Sequence, residues 1–295
     1  MIIDLIKVLI LSIVEGVTEF LPVSSTGHLI LVNQFVKLTP EGFSNAFNVI
    51  IQLGAILSVV VIYFHKLNPW SKEKISLPKK YDKLNGQSKA YFILTHPDGQ
   101  TIKLWTKVIV GVLPAMVLGL LFDDLIDKYL FNPITVAAML VIWGIIIILI
   151  ERKNRGKEAF AYESLEDVPY KIVLAIGFFQ CLAMIPGTSR SAATIIGALL
   201  LGLSRPAAAE FSFFLAIPTM LGATALKLVK NLAGFTGYEW FLIALGMVLS
   251  FIVAYAVIKK FLAYVKNNDF IPFGIYRIIL GVLVLGYFLV VSYPR

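Results

Sequence analysis

The sequence predicts an all-α integral membrane protein with six transmembrane helices and two re-entrant helix-loop-helix hairpins, arranged as an inverted-topology repeat. Hydrophobic residues make up 58% of the chain and charged residues 15%, with a mean hydropathy of +0.84. Soluble domains use roughly 25% charged residues. Six apolar runs approach the ~20 residues that a helix needs to cross a bilayer. Two further apolar regions are interrupted by proline and hydroxyl-bearing residues.

The predicted elements form one membrane domain, residues 1–295, with a first repeat at 1–150 and a second at 172–295. Each repeat consists of one hairpin followed by three spans. The predicted bounds of the first repeat are 2–36 for the hairpin, 46–64, 104–122 and 133–150 for the spans, and 65–103 for a polar loop. Those of the second repeat are 172–203 for the hairpin and 207–229, 239–258 and 271–292 for the spans.

Each hairpin contains a polar break, LPVSSTGH in the first and IPGTSRSAAT in the second. A proline interrupts a helix because it lacks an N–H group and clashes with the preceding turn. Non-helical backbone at membrane depth is tolerated only where it is buried in protein or lines a wet cavity. The sequence therefore predicts that both breaks face an internal site.

The two halves match at a constant offset of 164 residues. The matched pairs are Pro22 with Pro186, Ser24 with Thr188, Ser25 with Ser189, Phe47 with Phe211 and Leu57 with Leu221. A hairpin returns to the side it entered, whereas three spans cross an odd number of times. The second half therefore begins on the opposite side, which predicts the inverted repeat typical of secondary transporters.

The basic residues indicate an orientation rather than a nucleic-acid partner. The formal net charge is +8, and the lysines and arginines concentrate in 65–103, 152–171 and 259–270. The positive-inside rule places these loops in the cytoplasm. Both termini then lie outside, which in a bacterium is the periplasmic or extracellular side of the inner (cell) membrane. Cys181 is the single cysteine, so the chain forms no internal disulfide.

The first break carries an unusual density of polar groups for a membrane segment. They are Glu15, Glu19, Ser24, Ser25, Thr26 and His28. On a helix, Glu15 and Glu19 stand at i and i+4 and share one face, which favours a shared proton or a bound cation. A pair facing lipid headgroups is the plainer alternative. Ser24 or Ser25 can cap a new helix, whose free N–H groups also form an anion site.

The second break adds a cation to a set of hydroxyls. Arg190 is accompanied by Thr188, Ser189, Ser191 and Thr194. Arginine presents a rigid fork of donors that fits phosphate oxygens. A buried salt bridge from Arg190 to Glu15 or Glu19 is the structural alternative, and it is compatible with the resting state of a working site. Together the two breaks predict a membrane site for phosphate.

Four further polar residues fall inside predicted spans: Asn48, Gln52, Glu210 and Arg277. Each is interpreted as a residue that forms hydrogen bonds between helices rather than as a catalyst.

The motifs EGVTEFLPVSSTGH and PGTSRSAAT, with FNVIIQLGAIL and EFSFFLAIPTMLGA, resemble those of the undecaprenyl pyrophosphate phosphatase family associated with bacitracin resistance. The resemblance implies hydrolysis of the lipid carrier undecaprenyl diphosphate to the monophosphate, with a divalent cation, Mg²⁺ or Ca²⁺. It places the acidic motif on Glu15 and Glu19, the essential histidine on His28 and the candidate nucleophile on Ser25. The arginine motif falls on Ser189, Arg190 and Ser191.

The resulting hypothesis has Ser25 attack the terminal phosphorus while His28 or a glutamate removes its proton. Arg190 and nearby amides hold the charge on the phosphoryl oxygens, and Glu15 and Glu19 bind the cation. Ser24, Thr26, Thr188, Ser189, Ser191 and Thr194 are the expected substrate-binding residues. A phosphohistidine at His28 stays open as the alternative intermediate. A transporter or lipid flippase without hydrolysis is the rival function.

The expected partners are undecaprenyl diphosphate and bilayer lipid. Bacitracin would be opposed only through this shared substrate, and no nucleic acid is expected. The sequence leaves the oligomeric state open, a homodimer included. Entry of the first hairpin from outside favours a site that opens to the periplasmic face.

Overall fold

The computed structural model describes residues 1–71, 74, 91–92, 94–130, 132–156, 159–231 and 234–291. Within these residues the structure is helical, and six helices are long and apolar enough to cross a membrane, as predicted. They are α3 (Glu41–Ile62), α5 (Gly99–Leu130), α6 (Pro133–Asn154), α9 (Arg205–Asn231), α10 (Gly237–Val265) and α11 (Ile271–Val291). A short helix, α4 (Phe64–Leu67), follows α3.

The two predicted hairpin regions each contain two shorter helices separated by a break. In the first, α1 (Ile2–Thr18) and α2 (Ser25–Val32) flank Pro22. In the second, α7 (Tyr170–Cys181) continues into a 3₁₀ turn at Leu182–Met184, and α8 (Arg190–Leu200) follows Pro186. The breaks occur where the sequence places proline, since proline cannot donate the helical hydrogen bond.

The breaks end in the same cap. Ser24 precedes α2 with φ of 72°, and Ser189 precedes α8 with φ of 74°. The Ser24 side chain accepts a hydrogen bond from the Gly27 N–H, and the Ser189 side chain accepts one from the Ala192 N–H, both at 3.3 Å. An N-cap oxygen satisfies one of the free donors of the first helical turn.

This shared cap corrects the ungapped match of the two breaks. The 164-residue offset pairs Ser25 with Ser189, whereas the cap geometry pairs Ser24 with Ser189. The second break has one more residue between its proline and its cap. It accommodates this residue at Gly187, where φ is +92° and a Cβ would come within 2.5 Å of the Val136 carbonyl oxygen. Only glycine tolerates that position.

The spans pack in close pairs around the short helices. α1 and α3 lie against α10, α7 lies against α5, and α6 pairs with α11. At the crossing of α6 and α11, a Cβ on Gly144 would stand 2.7 Å from the Gly274 carbonyl oxygen, and a Cβ on Gly274 would stand 2.8 Å from that of Gly144. Small residues let two backbones approach this closely in a membrane.

The polar loop predicted at 65–103 overlaps the first residues of α5. The helix α5 begins at Gly99, five residues before the predicted start at 104, and runs to Leu130 beyond the predicted end at 122. The Asp98 carboxylate accepts a hydrogen bond from the Thr101 N–H at 2.8 Å, which supports the earlier start. Residues 72–73, 75–90 and 93 of this loop lie outside the described residues.

Two ion pairs hold helices together away from the breaks. Lys66 Nζ lies 2.7 Å from Glu210 Oε1, which gives Glu210 the structural role expected of it. Arg205 donates to both carboxylate oxygens of Glu151 and joins the start of α9 to the end of α6. Glu151 also accepts from the Phe270 N–H at 3.1 Å.

Candidate active site

The structure brings the two breaks into direct contact. Ser191 Oγ, at the start of α8, donates to the Leu21 carbonyl oxygen in the first break at 2.8 Å. Arg190 Nη2 lies 3.3 Å from Glu19 Oε1, and both side chains are largely buried. The salt bridge considered as an alternative from the sequence is therefore present, and Glu19 is its acidic partner. The two halves of the chain contribute one group each to a single site.

Glu19 also holds the hydroxyl of Ser25. Ser25 Oγ donates to Glu19 Oε2 at 2.6 Å, while the other carboxylate oxygen faces Arg190. Ser25 is the first residue of α2, so its hydroxyl stands where free N–H groups of that helix begin. A carboxylate in direct contact with a hydroxyl can accept its proton. This contact has the geometry that a nucleophile and its base require.

Arg190 is oriented by a serine that the sequence reasoning missed. Arg190 Nη1 donates to the Ser212 carbonyl oxygen at 2.7 Å and to its hydroxyl at 3.3 Å. Thr194 Oγ1 donates to Ser212 Oγ at 2.7 Å. Ser212 is buried in the middle of the apolar run FSFF of α9. The available signal was its place 164 residues after Asn48, a polar residue already noted inside a span.

Glu15 is fully buried, and neither of its carboxylate oxygens has a hydrogen-bond partner among the described residues. It lies one helical turn before Glu19. The described residues contain no cluster of three or more His, Cys, Asp or Glu side chains that could hold a metal. Mg²⁺ is commonly held by one or two carboxylates together with substrate phosphates and water. Glu15 and Glu19 therefore fit a divalent cation that shares its ligands with a diphosphate.

A cavity of about 170 Å³ opens beside Ser25 and Arg190. Its lining comes from both breaks and from the middle of α3 and α9: Glu19, Ser25, Thr26, Gln52, Ala183, Pro186, Gly187, Ser189, Arg190, Thr219, Met220 and Ala223. Gln52, interpreted from the sequence as a helix-packing residue, thus lies at the cavity wall. A larger cavity of about 490 Å³ near the start of α5 is lined by both lysines and acidic residues and contains none of these groups.

The expected substrate-binding residues divide into two sets. Thr26 and Ser189 line the cavity. Ser24, Thr188, Ser191 and Thr194 are buried and do not line it. Ser24 caps α2, and the Ser191 and Thr194 hydroxyls bond to Leu21 and Ser212, so these groups already serve the local structure. Direct contact of these four residues with substrate stays a prediction.

The His28 ring contacts Ser24 and Tyr276. Its Nδ1 is 2.7 Å from the Ser24 carbonyl oxygen, which can only accept, so Nδ1 carries a hydrogen. Its Nε2 lies 2.6 Å from the Tyr276 hydroxyl, which can donate to it in the neutral ring. The two rings also stack, with centroids 5.5 Å apart and planes at 8°. His28 is absent from the cavity lining, and Tyr276 was not identified from the sequence.

A family model described as "Bacitracin resistance protein BacA" matches residues 8–283. The chain belongs to this family. The match covers both breaks and all the residues of the site, and it confirms the resemblance drawn from the sequence motifs.

Curated relatives of the family match almost the full chain. Undecaprenyl-diphosphatase 1 of Clostridioides difficile (strain 630) is 51% identical over 286 residues, covering 97% of this chain and 96% of the relative. The undecaprenyl-diphosphatase of Limosilactobacillus fermentum is 49% identical over 294 residues, covering 98% and 99%. That of Fusobacterium nucleatum is 54% identical over 286 residues, covering 94% and 98%.

Proposed function

We propose that this protein hydrolyses undecaprenyl diphosphate to undecaprenyl phosphate and inorganic phosphate, and so recycles the lipid carrier of peptidoglycan and envelope polysaccharide synthesis. The observation that carries the proposal is the contact of Ser25 with Glu19, and of Glu19 with Arg190, beside one cavity. The names of the near full-length relatives support the choice of substrate.

In the first step, Ser25 Oγ attacks the terminal phosphorus and Glu19 accepts the hydroxyl proton. The new Oγ–P bond forms as the bridging P–O bond breaks, and undecaprenyl phosphate leaves. Glu19 passes the proton that it gained to the departing undecaprenyl phosphate and is again a carboxylate. In the second step, water attacks the phosphoserine, Glu19 takes a proton from the water, and the Oγ–P bond breaks to release inorganic phosphate. Glu19 gives this proton to the serine oxygen, which returns the site to its starting state.

Arg190 has the position and chemistry to stabilise the transferring phosphoryl group. Its guanidinium points toward the cavity wall from the first residue of α8, beside the amides capped by Ser189. Charge spreads over the equatorial oxygens in such transition states, and fixed donors act strongly where water is scarce. Its ion pair with Glu19 holds the carboxylate near Ser25 before substrate enters.

Glu15 and Glu19 would hold the divalent cation, Mg²⁺ or Ca²⁺, against the diphosphate. When bound, the cation would neutralise part of the negative charge of the diphosphate. The unpartnered oxygens of buried Glu15 support this assignment, because a buried carboxylate without a partner is costly.

In this proposal Glu19 is the base, and His28 has a supporting role. Its Nδ1 and Nε2 are occupied by Ser24 and Tyr276, whereas Glu19 already touches the Ser25 hydroxyl. A phosphohistidine at His28 requires the attacking ring nitrogen to leave its partner, the Tyr276 hydroxyl for Nε2 or the Ser24 carbonyl for Nδ1. The proposal therefore assigns the intermediate to Ser25.

The membrane arrangement proposed from the sequence is retained. The two helix pairs are re-entrant hairpins of an inverted repeat, with both termini on the periplasmic or extracellular side and the site open to that face. The matching caps at Ser24 and Ser189 support the repeat. The polyprenyl tail would remain in the bilayer while the diphosphate enters the cavity, and a homodimer is compatible with this arrangement.

The decisive experiment measures phosphate release by the purified protein in detergent from undecaprenyl or farnesyl diphosphate with Mg²⁺ or Ca²⁺. Release without any gradient, lost in Ser25→Ala, is the expected result. Absence of release with metal present would instead favour a transporter or flippase. Bacitracin is expected to slow release only by sequestering the diphosphate substrate, so added substrate should restore the rate.

A further inference from the structure

Within the part of the chain that the structure describes, Arg277 is a buried cation without an acidic partner. It lies in α11 with none of its surface exposed, and among the described residues it forms no salt bridge. An unpaired charge in the protein interior is costly unless hydrogen bonds compensate it. Interpreted from the sequence as a helix-packing residue, Arg277 must therefore obtain its stabilisation from neutral groups.

Those groups are backbone carbonyls of the two breaks. Nη1 donates to the Pro22 carbonyl oxygen at 3.2 Å. Nη2 donates to the carbonyl oxygens of Gly187 at 2.8 Å and Thr188 at 2.9 Å, and contacts that of Met139 in α6 at 3.4 Å. Nε has no partner among the described residues. One guanidinium nitrogen thus serves the first break and the other serves the second.

Three of the carbonyls that Arg277 contacts stand one or two residues before the two caps. Pro22 is two residues before Ser24, and Thr188 immediately precedes Ser189. Backbone carbonyls in a break have no helical N–H partner, so an external donor determines where these segments rest. The caps in turn determine where Ser25 and Arg190 begin their helices. The carbonyls that Arg277 holds in the two breaks therefore lie only two or three residues before Ser25 and Arg190.

We propose that Arg277 is a positioning residue that sets the relative placement of Ser25 and Arg190 by tying both breaks to α11. The inference rests on the proposed phosphatase reaction for its kinetic effect and on the hydrogen bonds alone for its structural effect. Arg277 does not line the cavity, so the proposal gives it no direct contact with substrate. Its planar fork spans two loops at once, which the point charge of a lysine does not reproduce.

The kinetic test compares Arg277→Met and Arg277→Lys with Arg205→Met, a control that removes a partly buried arginine whose side chain pairs with Glu151. Misplacement of reacting groups by about 1 Å can cost ~100-fold in rate. We expect kcat for phosphate release to fall about 100-fold in both Arg277 variants, with KM changed less than about 3-fold. Arg205→Met should lower the detergent melting temperature at least as much while kcat stays within about 3-fold of wild type.

The structural test measures hydrogen exchange by mass spectrometry and needs no activity. Arg277→Lys should speed exchange in peptides that cover 20–28 and 186–194 together, whereas Arg205→Met should speed it only near Glu151 and the start of α9. If Arg277→Met does not accumulate, the lysine variant carries both tests. Unchanged exchange at the two breaks, or a kcat loss no greater than that of Arg205→Met, overturns the proposal. Wild-type protein without phosphate release overturns the proposed function but leaves the exchange test decisive.

Discussion

The hydroxyl of Ser25 lies 2.6 Å from Oε2 of Glu19, and the other oxygen of that carboxylate faces Arg190. Glu19 is therefore the one described side chain that contacts both the proposed nucleophile and the proposed phosphate ligand. This arrangement explains why a membrane segment retains a carboxylate at this point, since each of its oxygens has a partner from a different half of the chain.

Glu19→Gln should reduce phosphate release by about 10²–10⁴-fold, the usual contribution of general base catalysis. Glutamine keeps the size of the side chain but cannot accept the Ser25 proton, and it removes the negative charge that pairs with Arg190. The rate is measured in detergent at saturating diphosphate. Glu41→Gln, an exposed residue paired with Lys37, is the matched control and should retain wild-type rates. Near-normal turnover in Glu19→Gln would exclude Glu19 as the base.

Ser25→Ala should abolish both turnover and a trapped phosphoenzyme. Brief incubation with terminally labelled diphosphate followed by acid should leave label on wild-type protein, because a phosphoserine resists acid whereas a phosphohistidine does not. His28→Ala should still form the acid-stable label. The control Ser58→Ala removes a buried hydroxyl of α3 that bonds the Ala55 carbonyl oxygen. An acid-labile label that persists in Ser25→Ala would transfer the nucleophile to His28.

Arg190→Lys should lower kcat/KM by about 100-fold or more, because lysine cannot reproduce the two-pronged contact with Ser212 and Glu19. Ser212→Ala should cost less, about 10-fold, since the Ser212 carbonyl contact with Arg190 is retained and only hydroxyl contacts are lost. Both values come from the same phosphate-release assay. If Ser212→Ala lowered kcat/KM as much as Arg190→Lys, the expectation that the Ser212 hydroxyl contributes less than the Arg190 guanidinium would be wrong.

Removal of divalent cations with EDTA should stop phosphate release, and added Mg²⁺ or Ca²⁺ should restore it. Glu15→Gln should raise the cation concentration for half-maximal activity by about 10-fold or more, because outright loss of one of two carboxylates weakens a hard-cation site. Glu239→Gln, at the start of α10, serves as the acidic control. A Glu15→Gln protein with unchanged cation dependence would remove Glu15 from the cation site.

Gly54→Ala should destabilise the protein by about 1–3 kcal/mol, the usual cost of overpacking a close contact. A Cβ at Gly54 in α3 would stand 2.1 Å from the Met247 carbonyl oxygen of α10. Gly222→Ala in α9 is the matched control, since a Cβ there meets no atom within 4 Å. It should be neutral or stabilising by up to about 1 kcal/mol, as alanine favours the helix. Thermal unfolding in detergent compares the two, and equal melting temperatures would contradict the packing argument.

The sequence by itself determined the class of the protein and most members of the site. The lengths of apolar runs reflect the thickness of a bilayer, so six spans could be counted without a structure. Charged residues inside a membrane segment cost free energy, so Glu15, Glu19 and Arg190 could be identified as site residues from the sequence. Proline predicted the positions of both breaks. The extra residue at Gly187 shifts the second cap by one position, and an ungapped alignment of the two halves does not detect this shift.

Only the tertiary structure decided which group each polar atom faces. Ser25 meets Glu19 rather than His28, because Nδ1 of the histidine is held by the Ser24 carbonyl and its Nε2 by Tyr276 of α11. Arg190 takes its orientation from Ser212 of α9, 22 residues away in sequence. Arg277 reaches Pro22 across 255 residues. Such pairings depend on where spans pack against one another, and a directional hydrogen bond of about 3 Å is set by that packing rather than by local sequence.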